Sequence, residues 1–268
     1  MVLRTSSNSG REGVREAPLV IYRASNVKAL FLSCYKNAST SLFVWLAGLE
    51  LRSSLRADNG DLRVPLSRGE AAACLDRDEI SRQCLDKYLN RYSDHFIFGI
   101  SRNPYHRIAS AYRNKINRLV KQTMPGVYAK ALICQIMEGP NSWFDNRSAI
   151  RHMRQMVSFG DFLQKLASVG LGIDGHYQQQ AVLMRPDLLP VAKFFKLETL
   201  GETLVQAMGD HLTRHMYDSG QAVEAIPVQN SMGSSLDYRD FYDDELLALV
   251  EELYAPDFQS FGYIKGDF

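Results

Sequence analysis

The sequence predicts an α/β fold, a parallel central sheet flanked by helices, and three observations carry that expectation. From Pro18 onward short apolar runs alternate with longer amphipathic stretches, the pattern of strands and helices that share one core. Two of the runs, 28–34 and 95–101, end in a polar turn that opens a helix; in open parallel sheets such turns lie at the carboxyl ends of the strands, where nucleotides bind. A chain of 268 residues, 46% hydrophobic and 23% charged, is long enough to bury one core, which predicts a single domain over 17–268 behind a flexible segment 1–16.

The elements follow in order. Segment 1–16 is rich in Ser, Gly, Asn and Arg and lacks the apolar run of a signal peptide or membrane anchor, so a soluble, cytoplasmic protein without an integral membrane segment is expected. KALFLSC at 28–34 reads as a buried strand, and a helix follows from Ser39 to about Leu51, before the turn signal Asp58-Asn59-Gly60. Residues 70–92 interleave charges with Leu75, Ile80, Leu85 and Leu89, which predicts one helix. HFIFGIS at 95–101 is a second strand. Asn103 suits the cap and Pro104 the first position of a helix whose apolar face is Ile108, Tyr112, Ile116 and Leu119. Further helices are expected at 127–137, 161–168, 201–216 and 243–254, with a third strand at 191–197.

Charge narrows the partners. Lys and Arg number 31 against 30 Asp and Glu, a net +1, so a polyanion must be gripped by a local basic patch, and nucleic acid is not an expected partner. Cys34, Cys74, Cys84 and Cys134 have neither CxxC nor Cys/His spacing; they read as reduced thiols, with neither a zinc site nor a disulfide framework.

Two constellations carry chemistry. In Tyr35-Lys36-Asn37-Ala38-Ser39-Thr40-Ser41, between a strand and a helix, successive backbone N–H groups, Lys36 and the hydroxyls are donors for a phosphate or sulfate. The glycines of the nucleotide triphosphatase P-loop are missing. Read alone, the stretch also fits a Ser/Thr-capped helix with an exposed lysine. In the second, 101–113, Arg102 at the strand end can fork onto a phosphate, and Ser110, seven residues past the cap, returns to the same side of the helix. An ordinary capped amphipathic helix explains that segment equally.

Taken together, the two segments resemble the donor-binding pair of the carbohydrate sulfotransferases that use 3′-phosphoadenosine-5′-phosphosulfate (PAPS), in particular Golgi members of the chondroitin type. The second matches the family stretch Arg-x-Pro-(Tyr/Phe)-x-Arg-(Leu/Ile)-x-Ser-Ala-(Tyr/Phe)-Arg nearly throughout. Further pieces agree in order: Asp174-Gly175-His176-Tyr177-Gln178-Gln179-Gln180 resembles His-Trp-x-Pro-Gln, 195–200 resembles Lys-x-Glu-Thr-Leu, and 253–263 resembles the closing Tyr-x-x-Asp-Phe-x-x-Phe-Gly-Tyr. Tyr177 stands for the usual Trp and Gln179 for the Pro, and the cysteines that follow this segment in Golgi members are absent. These departures suit a soluble bacterial relative and leave the acceptor open.

The resemblance implies a P-loop-NTPase-like fold, PAPS as co-substrate, no metal and a carbohydrate acceptor. Lys36 would neutralise the leaving phosphate, with Asn37, Ala38, Ser39, Thr40 and Ser41 on the 5′ oxygens and Arg102 and Ser110 on the 3′-phosphate. His176 is the candidate base, with His106 second. Glu198 would orient His176 or Lys36, or form a structural salt bridge. Two basic runs, Arg107, Arg113, Arg118 and Lys121, and Arg147, Arg151 and Arg154, either grip an acidic glycan or are solvated faces. Trp143, Phe144 and Tyr177 either stack on sugars or fill the core. A phosphate-loop nucleotide kinase is the main rival; it should carry a strand-end Asp and a glycine-bearing loop. A non-catalytic glycan- or nucleotide-binding protein on the same fold is the other.

Overall fold

The computed structural model describes residues 18–55, 67–113, 158–215, 223, 225, 226 and 238–268. It shows a mixed α/β fold built on a five-stranded sheet of order β3-β1-β2-β4-β5. Strand β1 (Leu19–Ala24) turns through 25–28 into β2 (Ala29–Leu32), and the two pair antiparallel with Ile21 opposite Leu32. Helix α1 (Ser39–Leu55) follows, then α2 (Arg68–Ala73), β3 (Asp76–Ile80), α3 (Arg82–Arg91), β4 (Phe96–Ser101) and α4 (Pro104–Tyr112). Beyond residue 157 come α5 (Phe159–Val169), the short α6 (Gln180–Met184), β5 (Lys193–Lys196), α7 (Leu200–His215), α8 (Asp244–Leu253) and α9 (Ala255–Phe261).

The expected all-parallel sheet is corrected at β1. Strands β2, β4 and β5 are parallel neighbours, but β1 runs antiparallel to both β2 and β3. The cause is the connection: a turn as short as 25–28 can only make a hairpin, since a parallel pair needs a crossover of about a dozen residues. Glu50 of α1 closes that turn by accepting from the N–H groups of Asn26 and Val27.

The single helix expected over 70–92 is also corrected. Residues 76–80 form edge strand β3, which pairs with β1 from Leu19–Ile80 to Arg23–Asp76. Arg23 reaches Asp76 at 3.0 Å and Asp78 at 3.4 Å. A strand this charged lacks the apolar alternation by which strands are read, and charge is what a solvent-facing edge tolerates. The other expected elements are found at β5, α5, α7 and α8 with ends moved by a few residues, whereas 127–137 and the 58–60 turn lie outside the described residues.

Alternation along the strands divides the core. Phe31, Phe98 and Ile100 face α1 and α7, packing on Leu42, Trp45, Leu46, Leu204 and Met208. Leu30, Leu32 and Ile97 face the other way, onto Leu85, Met184, Leu189 and Phe261. A further cluster joins α4, α5 and α8 through Tyr105, Ile108, Tyr112, Phe162 and Val250. The parallel trio thus has helices on both faces, and its carboxyl ends deliver residues 33–38, 102–103 and 197–199 to one edge of the sheet.

Candidate active site

The loop after β2 is built without glycine. Lys36 and Ala38 adopt left-handed backbone conformations, with φ of 70° and 55°, which side chains rarely occupy without outside support. That support comes from Asn37, whose buried amide donates to Ile100 O at 2.5 Å and to Gln180 Oε1 at 2.7 Å. The Asn37 side chain therefore points into the protein, and only its main chain is left for a ligand. Ser39 and Thr40 open α1 half-buried, and Ser41 is buried.

Strand β4 ends beside this loop. Asn103 accepts from the Tyr105 N–H at 3.0 Å and Pro104 takes the first helical position, as the sequence predicts. Arg102 bends back: its Nη1 donates to Lys36 O at 3.1 Å and its guanidinium lies 5.5 Å from the Tyr238 ring centroid. On α4, His106, Ser110 and Arg113 are half-buried while positions 107–109, 111 and 112 are buried, so Ser110 belongs to the one strip of this helix that reaches solvent.

The segment 174–180 closes the site. His176 Nδ1 lies 2.5 Å from Asp174 Oδ1, and Asp174 also accepts the His176 N–H at 2.7 Å. A carboxylate on Nδ1 fixes that nitrogen as the donor and leaves Nε2 as the acceptor. The imidazole lies against Tyr35 with ring centroids 4.4 Å apart, which sets His176 beside the loop that carries Lys36.

A buried polar frame ties the pieces together. Arg107, only 1% exposed, donates through Nε to Tyr35 O at 3.1 Å and through Nη2 to Gly175 O at 3.3 Å. Gln180 accepts the Arg102 N–H at 2.8 Å and donates to Arg102 O at 2.8 Å. Asp257 accepts from Gln180 N, Gln180 Nε2 and Ala181 N, which caps α6. Burial pushes the Asp257 carboxyl above the ordinary range, opposed by Arg107 and those amide donors. Cys34, buried just before the loop, has its thiol pushed up to about 11 by burial.

Residues 71–264 match the model described as the sulfotransferase family. The chain belongs to that family. No curated protein and no solved structure matches it.

The matched span covers Arg102, Ser110 and His176 and begins after the loop at 35–41, so Lys36 joins the candidate site through the structure, by its carbonyl bond to Arg102. The electrostatics are those of an anion site. Helix α1 carries no acidic residue in its first turn, whereas α2, α5, α7 and α8 each do, so its positive end stands beside Lys36 without a first-turn carboxylate; α4 also lacks a first-turn acid, but the Glu198 carboxylate meets its start by accepting from Asn103 N. A separate cleft, lined by Asp161, Asp240, Asp243 and Glu245 over Tyr112, Phe159 and Phe241, has the opposite charge and would repel an anion. Among the described residues no group of three or more His, Cys, Asp or Glu is arranged to hold a metal ion, and no helix is long and apolar enough to cross a membrane.

Several expected roles move. Arg107 is buried, not part of a basic face, while Arg118, Lys121, Arg147, Arg151 and Arg154 lie outside the described residues. Tyr177 is fully buried in the core and cannot meet a sugar; Trp143, Phe144, Ile116 and Leu119 also lie outside. Glu198 serves neither His176 nor Lys36: it accepts from Asn103 N at 2.8 Å and from the Tyr263 hydroxyl at 3.0 Å, with His106 Nδ1 at 3.9 Å. Cys34, Cys74 and Cys84 are free thiols, and Cys134 is not among the described residues. Sequence reasoning missed Asp174, Gln180, Asp257 and the ring of Tyr35. The signal available for Asp174 was its place two residues before His176, the spacing of a local Asx turn.

Proposed function

We propose that this chain transfers the sulfuryl group of PAPS to a hydroxyl of a carbohydrate acceptor, on a fold of the P-loop-NTPase-like type. One observation carries the reading: Lys36 and Arg102, from two parallel strand ends, are joined by a 3.1 Å hydrogen bond beside the N-terminus of α1, which has no acid in its first turn, with a His176–Asp174 pair against the same loop. Lys36, the main-chain N–H groups of Asn37 and Ala38, and Ser39, Thr40 and Ser41 take the 5′ phosphosulfate. Arg102, with Ser110 farther along α4, takes the 3′-phosphate, the group that separates this donor from ATP.

In the proposed reaction His176 Nε2 removes the proton of the acceptor hydroxyl as that oxygen bonds to sulfur. The bond from sulfur to the bridging phosphate oxygen breaks in line, and Asp174 stabilises the imidazolium. Lys36 and the end of α1 neutralise the charge that grows on the departing adenosine-3′,5′-bisphosphate. A sulfuryl carries less negative charge than a phosphoryl, so a lysine and backbone dipoles match the demand, and no step is assigned to a metal.

Calorimetric titration of adenosine-3′,5′-bisphosphate into wild type and Arg102→Ala tests the donor. The bisphosphate binds without magnesium, and the variant, losing a charged hydrogen bond worth about 1.5–3 kcal/mol, binds roughly 10- to 150-fold more weakly. Tighter binding of ATP with magnesium than of the bisphosphate would overturn the proposal in favour of a nucleotide kinase.

A further inference from the structure

Tyr35 is anchored more firmly than a loop aromatic needs to be, and it is left open. Its carbonyl is held by Arg107 Nε at 3.1 Å. Its ring runs so close over Gly175 that a Cβ there would stand 2.7 Å from Cε2 and 2.9 Å from Cδ2, so the ring keeps this position only while residue 175 lacks a side chain. The ring also contacts the His176 imidazole, at 4.4 Å between centroids and 31° between planes. Yet the residue is 47% exposed; the other large exposed apolar side chains among the described residues, Val182, Val191 and Ile264, play no part in the site.

We infer that Tyr35 is the platform on which a pyranose ring of the acceptor rests, the C–H face of the sugar against the exposed part of the aromatic ring. This deepens the carbohydrate reading above and rests on it. The position fits: Tyr35 precedes Lys36 in the chain and touches His176, the two groups between which the sulfuryl moves in the proposed reaction. A rigid aromatic offers contact area at little cost in side-chain entropy, and its quadrupole favours edge-on C–H groups over its face. The surroundings choose the class of acceptor. A flat phenolic acceptor calls for an enclosed, mostly apolar pocket, whereas the exposed ring of Tyr35 lies against the His176–Asp174 pair and is followed in the chain by Lys36, a polar setting that suits a ring apolar on one face and hydroxylated at its rim.

The test uses the whole chain, PAPS, a panel of chondroitin, heparosan and N-acetyllactosamine oligosaccharides, 2-naphthol as the aromatic comparison, and the variants Tyr35→Phe and Tyr35→Leu. Tyr35→Phe should behave as wild type. Tyr35→Leu should raise the KM for the saccharide about fivefold to tenfold, the scale of one aromatic contact, while kcat and the affinity for adenosine-3′,5′-bisphosphate stay within about twofold. A fall in kcat with the saccharide KM unchanged overturns the inference, because the ring would then serve only to hold His176. Sulfation of 2-naphthol and of no saccharide overturns it too, as does a wild type that binds no saccharide of the panel when loaded with bisphosphate and sulfates none when supplied with PAPS. Failure of wild type to bind the bisphosphate is a separate result and removes the underlying sulfotransfer reading itself.

Discussion

Replacing Gln180 should disable the donor site from within. The side chain is fully buried and makes four hydrogen bonds: Oε1 accepts from Asn37 Nδ2 at 2.7 Å and Arg102 N at 2.8 Å, and Nε2 donates to Arg102 O at 2.8 Å and Asp257 Oδ2 at 3.2 Å. Gln180→Leu keeps the volume and removes every partner. The Asn37 amide retains Ile100 O, but both main-chain groups of Arg102 lose their bonds to this side chain. At about 1–3 kcal/mol for each polar group left unsatisfied, the variant loses about 2–6 kcal/mol, a large part of the ~5–15 kcal/mol that holds an ordinary domain. Urea midpoints at unchanged m value read that loss, and bisphosphate titration of the folded protein reads the slackened Arg102. Gln180→Glu adds a sign. A carboxylate oxygen replaces the Nε2 donor facing Arg102 O and the Asp257 carboxylate, whose own pKa burial already raises, so the new acid is also pushed above its unfolded value near ~4.3. Its folded form prefers the proton. The penalty is therefore absent below that unfolded value, grows as pH rises through it, and levels off above the folded pKa. A Gln180→Leu protein within about 1 kcal/mol of wild type, with undiminished bisphosphate affinity, would refute the reasoning.

Two further substitutions separate chemistry from packing. Asp174→Asn keeps the size of the residue but loses the charge that fixes the His176 tautomer through the 2.5 Å contact; kcat in the saccharide assay should fall about 10²- to 10⁴-fold with bisphosphate affinity unchanged, and an undiminished kcat removes His176 as the base. Gly99→Ala puts a Cβ 2.9 Å from Phe194 Cε1 and 3.2 Å from Met184 Sδ inside a paired strand, so overpacking should cost about 1–3 kcal/mol; a thermal melt reads it, and an unchanged Tm means Phe194 swings aside freely.

What the sequence disclosed follows the range of its signals. Strands β2 and β4 are apolar runs that end in cap residues, and Asn103-Pro104 states its helix start outright, so the carboxyl ends that hold Lys36 and Arg102 were legible. Strand β3 was not: DRDEI is specified by pairing with β1 and by Arg23, contacts that lie more than fifty residues away in the chain. Arg107 shows the same limit. In sequence it continues a basic stripe, and only the fold places Tyr35 O and Gly175 O around its guanidinium. Glu198 and Tyr177 were read by position in the chain, while their roles are set by neighbours at Asn103, Tyr263 and the α4–α5 core.

The frame behind the loop explains how the turn at 35–38 does without glycine. Left-handed backbone at Lys36 and Ala38 costs about 1–3 kcal/mol at each residue, and such a turn persists only where surrounding contacts over-determine it. Here they do: Asn37 is fixed from β4 and α6, Tyr35 from α4, and the Lys36 carbonyl from Arg102. These partners lie 63 to 143 residues away in the chain, so the loop cannot take its shape from local sequence in a partly folded chain. Glycines would make the same turn locally and leave it free to open. With Lys36 and Ala38 in their place the turn forms only once the sheet, α4 and α6 have met, so its main chain is set by packing that is already complete in the folded protein.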